Sequence, residues 1–195
     1  MVDNTYSIGY NDLFNDTMRI SLPKLKALLL FFGTYTDTKY LGKVKLMKLF
    51  YFLDFLHLKK YGSPITYDNY VNLEHGPIPS GILNLVNSAI DDIDSSALSD
   101  TISFETPAGT VMQRIIPARK FIESDKKYFS KSQIDIMAQV AERFGDKNTK
   151  FIEEASHEES PWKCTNMLEN IPYTLAAKDK DCLVSEEEIS LLLSL

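Results

Sequence analysis

The sequence contains only two cysteines, Cys164 and Cys182, and neither belongs to a CxxC pair or has a histidine at metal-binding spacing. Isolated cysteines of this kind predict free thiols rather than a disulfide framework or a zinc site. The motifs of phosphate-binding loops, dinucleotide-binding folds, zinc proteases and serine hydrolases are missing too, namely GxxxxGK(S/T), GxGxxG, HExxH and GxSxG. We therefore expect no metal, no cofactor and no enzymatic activity.

A dense cluster of Lys and Arg is also missing, and the formal net charge is −6. Binding to a phosphate backbone requires a basic face, so the sequence does not favour nucleic acid as the main partner. No apolar run reaches the roughly 20 residues that span a bilayer, and the first residues lack the basic start and apolar stretch of a signal peptide. We expect a cytoplasmic protein without membrane contact.

The composition that is present is that of a globular protein. Hydrophobic residues make up 44% of the 195-residue chain, charged residues 25% and aromatic residues 11%. This length and composition suffice for one sizeable core without disulfides. We expect a single domain over residues 21–195, preceded by an N-terminal arm over residues 1–20 that shows no sustained periodicity.

The segment Lys43 to Tyr61 organises the rest of the chain. It contains no Gly or Pro, and Gly62 and Pro64 follow it, which predicts a helix that ends at Tyr61. Asp37 or Thr38 is the expected cap. With about 100° of rotation per residue, the apolar residues of this predicted helix point in all directions rather than along one stripe. Such a helix must be buried on most sides, so the other helices are predicted to surround it.

Two charges, Lys48 and Asp54, lie deepest in this apolar segment. Either Lys48 extends its ammonium to the surface and Asp54 lies at an edge, or one or both reach a polar groove and bond backbone groups or a partner there. Burial of an unpaired charge is costly, so the second alternative requires specific partners.

The remaining pattern predicts a mainly α fold with a small β element (α+β). A hairpin is expected at about residues 101–116, turning at residues 106–109. It must either lie against the helices or join a third strand, for which the segment near Tyr70 to Glu74 is the candidate. Helices are predicted at residues 22–32, 80–90 and 150–157, from the capping box at Ser130 to Phe144, and from the capping box at Ser185 to Leu195. Residues 173–182 are predicted to be a loop.

One group of side chains has acid–base potential. His157 precedes Glu158 and Glu159, and His75 or Asp54 is a candidate to join them in space. A histidine beside carboxylates can transfer protons or bind a metal. The structural alternative is that His157 complements a helix end while Pro161 and Trp162 cover the core. We favour the structural alternative.

Three blocks of the sequence resemble the Panacea domain, also called SocA-like antitoxin. They are the block from Leu41 to Phe55, then Tyr61 to Tyr70 with His75-Gly76-Pro77-Ile78-Pro79, and later His157 with Pro161-Trp162. The resemblance implies a helical domain with a small β element that neutralises a cognate protein toxin, encoded by a neighbouring gene in bacteria or phages, by direct binding. It also leaves open delivery of the toxin to an AAA+ protease, whereas an enzyme built on His157 and Glu158 is the least favoured alternative.

The family has no agreed catalytic residues to carry over. Positions that match its motifs reflect either partner contact or fold maintenance, and contact is expected through the N-terminal arm or the groove near residues 75–79. The candidate site residues are Lys48, Asp54, Tyr70, His75, Gly76, Pro77, His157, Pro161 and Trp162.

Overall fold

The computed structural model describes residues 19–195, so the predicted N-terminal arm lies almost entirely outside the described residues. The fold is mainly helical with two short antiparallel strand pairs, as predicted. Its elements in chain order are α1 Leu22–Tyr35, α2 Lys43–Tyr61, β1 Tyr70–Val71, β2 Ile78–Pro79, α3 Ser80–Asp91, β3 Ile102–Glu105, β4 Arg114–Pro117, a first 3-10 helix Glu123–Tyr128, α4 Lys131–Phe144, α5 Thr149–His157, α6 Ser160–Lys163, a second 3-10 helix Tyr173–Lys178 and α7 Glu186–Leu193.

Helix α2 forms the centre of the core, and its bounds are those predicted. Fourteen of its 19 residues are buried, because α3, α4, α5, β2 and the second 3-10 helix all pack against it. It ends at Gly62, whose φ of 81° is the left-handed conformation that favours glycine. The predicted cap is wrong: Gly42 precedes the first turn, since Asp37 begins a separate turn in which its carbonyl accepts a bond from the Tyr40 amide.

Aromatic rings join α2 to the elements around it. The centroids of Phe52 and Phe144 lie 4.4 Å apart, which ties α2 to α4. Phe32 of α1 meets Phe50 edge to face at 5.5 Å. Edge-to-face and offset pairs of this kind add stability beyond the area they bury. The side chains on all sides of α2 therefore have large apolar partners.

The two strand pairs do not combine into one sheet. In the hairpin, Ile102 pairs with Pro117 and Glu105 with Arg114, close to the predicted range. Of the two alternatives, the hairpin lies against the helices, with β4 packed on α1, and the candidate third strand is not used because β1 pairs with β2, with Tyr70 opposite Pro79. Val71 also bridges Asn170 on its other side. Strand β1 thus lies between β2 and a later segment of the chain.

Capping side chains define the surface helices. Ser130 accepts a bond from the Gln133 amide at the start of α4, and Ser185 does the same for Glu188 at α7, as the two capping boxes predicted. Asn148 caps α5. The predicted loop over residues 173–182 is wrong in part, since residues 173–178 form a 3-10 helix that packs on α2.

Candidate functional site

Asp54 lies at the centre of a buried hydrogen-bond network. Its carboxylate accepts bonds from the amides of Ile65 and Thr66, both at 2.8 Å, and from the Thr66 hydroxyl. The hydroxyls of Tyr70 and Tyr173 lie 3.0 and 3.3 Å away. Burial raises the pKa of Asp54, and the bonds from Thr66, Ile65 and Tyr70 oppose that rise. Asp54 and Tyr70 therefore fix the turn that follows α2, a role in maintaining the fold.

Lys48 is fully buried beneath the turn formed by His75, Gly76 and Pro77. Its Nζ donates a 2.8 Å hydrogen bond to the Pro77 carbonyl. Burial lowers the pKa of Lys48 to about 7, and the nearby Glu153 carboxylate opposes this shift. Of the two alternatives for Lys48 and Asp54, the observed one is therefore the buried position with bonds to backbone groups.

Gly76 allows the turn to approach Lys48. Its φ is 88°, and a Cβ there would lie 2.6 Å from the Ser156 Oγ and 3.1 Å from the Lys48 Nζ. Both the backbone conformation and the lack of space require glycine. Because Gly76 has no side chain, the turn, α2 and α5 meet in direct contact.

His157 stacks on Trp162. The ring centroids are 4.0 Å apart and the planes are inclined by 20°. The Trp162 Nε1 donates to the Leu73 carbonyl at 3.3 Å, while Pro161 is buried in the first turn of α6. Burial lowers the pKa of His157; Glu153 and Glu158 oppose that shift, and Lys48 and His75 add to it. Within residues 19–195 the buried Nε2 of His157 has no hydrogen-bond partner.

His75 completes the site from the solvent side. Its side chain is 70% exposed, and its Nδ1 lies 3.1 Å from the Glu153 Oε1. Three basic groups and one carboxylate thus come together from α2, α5 and the turn before β2. We name Lys48, His75, Glu153 and His157 the Lys48 cluster.

The acid–base group expected from the sequence is only partly assembled. Glu158 is exposed and forms an ion pair with Lys163 at 2.7 Å, and Glu159 binds Lys59. Asp54 belongs to the separate network described above. The less favoured alternative, in which His157 acts with these three carboxylates, is therefore not assembled, whereas the approach of His75 is observed.

Glu153 and Ser156 were missed by the sequence analysis. Glu153 precedes His157 by four positions, which places both side chains on one face of α5. That spacing could have identified Glu153. The position of Ser156 against Gly76 depends on contact between segments 80 residues apart, so no local pattern shows it.

A second buried lysine, Lys59, has a different environment at the other end of α2. Its Nζ forms ion pairs with Glu159, with the Asp179 Oδ2 at 2.8 Å and with the Asp181 Oδ1 at 3.2 Å. Burial alone would lower the pKa of Lys59, but the charges and hydrogen bonds of Glu159 and Asp179 outweigh it and raise the pKa. These contacts hold the segment after α6 against α2.

Neither metal ligation nor membrane insertion is visible in the part of the chain that the structure describes. Residues 19–195 contain no group of three or more His, Cys, Asp or Glu side chains arranged to hold a metal ion. None of the helices in the same range is long and apolar enough to cross a membrane.

Comparison with known proteins identifies the family. No curated protein and no solved structure matches the chain significantly. The family model described as antitoxin SocA-like, Panacea domain, matches residues 46–163, which is more than half of the chain and runs from α2 to the end of α6. The match includes every residue of the Lys48 cluster. The chain therefore belongs to the SocA-like antitoxin, or Panacea domain, family.

Proposed function

We propose that this protein is an antitoxin that neutralises a cognate protein toxin by binding it directly. The observation that carries the proposal is the match of residues 46–163 to the SocA-like antitoxin family. The partner is the product of a neighbouring gene in a bacterial or phage toxin–antitoxin module, and the two proteins meet in the cytoplasm. Binding rather than chemistry is the proposed mode of action.

The geometry of the turn over residues 73–77 supports direct binding. Lys48 donates a hydrogen bond to the Pro77 carbonyl, and Trp162 donates one to the Leu73 carbonyl. Asn72 adds two bonds from its side-chain amide to the carbonyls of Trp162 and Thr165, at 3.2 and 2.6 Å. A segment fixed in this way loses little conformational entropy when a partner binds. The exposed residues Glu74 and His75 are thereby presented in one conformation, and we propose that the toxin contacts them.

Co-expression tests the function. Expression of the neighbouring gene alone should arrest growth, and co-expression with this chain should restore growth and yield a complex that purifies as one species. A neighbour that is harmless alone, or that does not bind the chain, would contradict the proposal. If growth is restored while toxin levels fall only in the presence of an AAA+ protease, delivery replaces sequestration as the mechanism.

Charge reversal tests the proposed contact surface. The double substitution Glu74→Lys and His75→Glu should weaken the complex by more than tenfold in Kd, because both side chains are exposed and would meet the toxin directly. The matched control is Val111→Glu, at a position 96% exposed between β3 and β4, which should leave Kd unchanged. Equal Kd values for both variants and the wild type would show that the toxin binds elsewhere.

A further inference from the structure

The charges within the Lys48 cluster are unbalanced. α2 contributes Lys48, the turn contributes His75, and α5 contributes His157 and the one carboxylate, Glu153. The next acidic group, Glu158, is already paired with Lys163. A chain with a formal net charge of −6 therefore places three basic side chains around one acid at this point.

Hydrogen bonding in the cluster is also incomplete. An ammonium group has three donors, yet within residues 19–195 the Pro77 carbonyl is the one hydrogen-bond acceptor found for the Lys48 Nζ. The buried Nε2 of His157 has none in the same part of the chain. Buried polar groups in folded proteins nearly always have partners. The cluster is thus suited to an additional oxygen acceptor.

We propose that the Lys48 cluster binds a carboxylate, supplied by an Asp or Glu side chain of the toxin. This inference rests on the proposed antitoxin function and adds the chemistry of the contact. The exposed member, His75, and the half-buried Glu153 mark the side from which the toxin approaches. The incoming carboxylate pairs with the basic groups of the cluster, for which Glu153 is the one carboxylate in the free protein. Trp162 holds the His157 ring in place by stacking on it.

A carboxylate fits better than a neutral acceptor because it stabilises the charged forms of Lys48 and His157. Burial disfavours those charged forms in the free protein, which lowers the pKa of both groups. A bound carboxylate would raise both pKa values again. Binding would therefore take up protons, and the complex should become tighter as the pH falls through 7.

The first experiment measures Kd between toxin and antitoxin from pH 6 to pH 8, together with the protons taken up, by calorimetry in two buffers of different ionisation enthalpy. We expect about tenfold tighter binding at the lower pH, which corresponds to a change of one pKa unit in a single group. His157→Gln should weaken binding about tenfold and reduce the proton uptake. Lys150→Gln removes a positive charge from an exposed position on the same helix and should change neither quantity.

The second experiment measures the pKa of His157 directly in the unsubstituted protein. The chain has only three histidines, so their NMR signals can be assigned by single substitutions. The pKa of His157 should rise when the toxin binds. A rise that is lost when one acidic residue of the toxin is changed to its amide would identify the carboxylate.

The outcomes separate the two proposals. A complex whose Kd does not depend on pH, and in which the pKa of His157 is unchanged, would overturn the carboxylate site and leave the antitoxin function intact. A pKa rise that persists after the acidic residues at the toxin surface have been changed would indicate a different acceptor on the toxin, such as a backbone carbonyl, and would also overturn the site. No complex at any pH would overturn both proposals.

Discussion

Lys48 and Lys59 lie on one helix and are both buried, yet their environments are opposite. Three carboxylates surround Lys59, whereas Lys48 donates to one backbone carbonyl and lies near two histidines. The pKa of Lys59 is accordingly raised and that of Lys48 is lowered. The contrast shows that burial alone does not determine the direction in which the pKa of a lysine shifts. Lys59 has its counterions within the fold, whereas the one carboxylate of the Lys48 cluster is Glu153, and we propose that the toxin supplies another.

The largest expected effect comes from removing Lys59. Lys59→Met should lower the free energy of unfolding by about 3–5 kcal/mol, because it leaves Glu159 and Asp179 largely buried without a counterion. Chemical denaturation measures the change. Lys60→Met, at the exposed neighbouring position, is the control and should behave like the wild type. A small loss for Lys59→Met would mean that these ion pairs do not stabilise the fold, and the contrast with Lys48 would fail.

The second largest loss of stability is expected at Gly76, where the turn packs on Lys48. Gly76→Ala should destabilise the protein by about 2–3 kcal/mol, which combines the cost of a left-handed conformation with the crowding of Ser156 and Lys48. Gly109→Ala is a matched control, since its φ is 75° and a Cβ there would meet no atom within 4 Å. That variant should lose only about 1 kcal/mol. Equal losses would show that the turn is not packed tightly on Lys48.

The third prediction uses pH to separate the two lysines. The pKa of Lys48, about 7 in the folded protein, lies below the unfolded value of about 10.4. Between these values the unfolded state binds a proton that the folded state lacks, so the free energy of unfolding should rise with pH, by at most about 1.4 kcal/mol per unit. The pKa of Lys59 is raised, so its contribution is fully present below the unfolded value and gives no slope there.

Denaturation of the wild type and Lys48→Met from pH 7 to pH 9 tests this prediction. Wild-type stability should increase relative to the variant over that range. Parallel curves would mean that Lys48 keeps its proton in the folded state.

The smallest effect is expected for Lys48→Met near pH 7. The variant loses one hydrogen bond but also removes the cost of burying an amine, so stability should change by less than about 1 kcal/mol in either direction. Toxin binding should nevertheless weaken. Strong destabilisation of Lys48→Met would mean that Lys48, like Lys59, is required for the stability of the fold.

The central helix was predictable because its evidence is local. A run of apolar residues on all faces, followed by Gly62, defines α2 without any tertiary information. The capping boxes at Ser130 and Ser185 are local in the same sense. In contrast, β1 and β2 have two residues each, too few for an alternating pattern, so the pairing of Tyr70 with Pro79 could not be deduced.

The candidate site was predictable only in part, for a related reason. Lys48, His75 and His157 stood out by residue type, but their grouping depends on contacts between distant segments. Glu158 was considered and Glu153 was not, because Glu158 is adjacent to His157 in sequence. On a helix, however, the residue four positions away shares a face and the adjacent residue does not. The Lys59 ion pairs join residues about 100 or more positions apart, and no sequence pattern indicates them.

The matched family region ends at residue 163, yet contacts that anchor α2 and β1 come from farther along the chain. Asp179 and Asp181 supply two of the three counterions of Lys59, and Asn170 bridges the free edge of β1 at Val71. A gene shortened to the family boundary would encode a protein with an uncovered strand edge and a poorly neutralised internal charge. The stretch that the family model matches is therefore shorter than the stretch that supplies the contacts of α2 and β1.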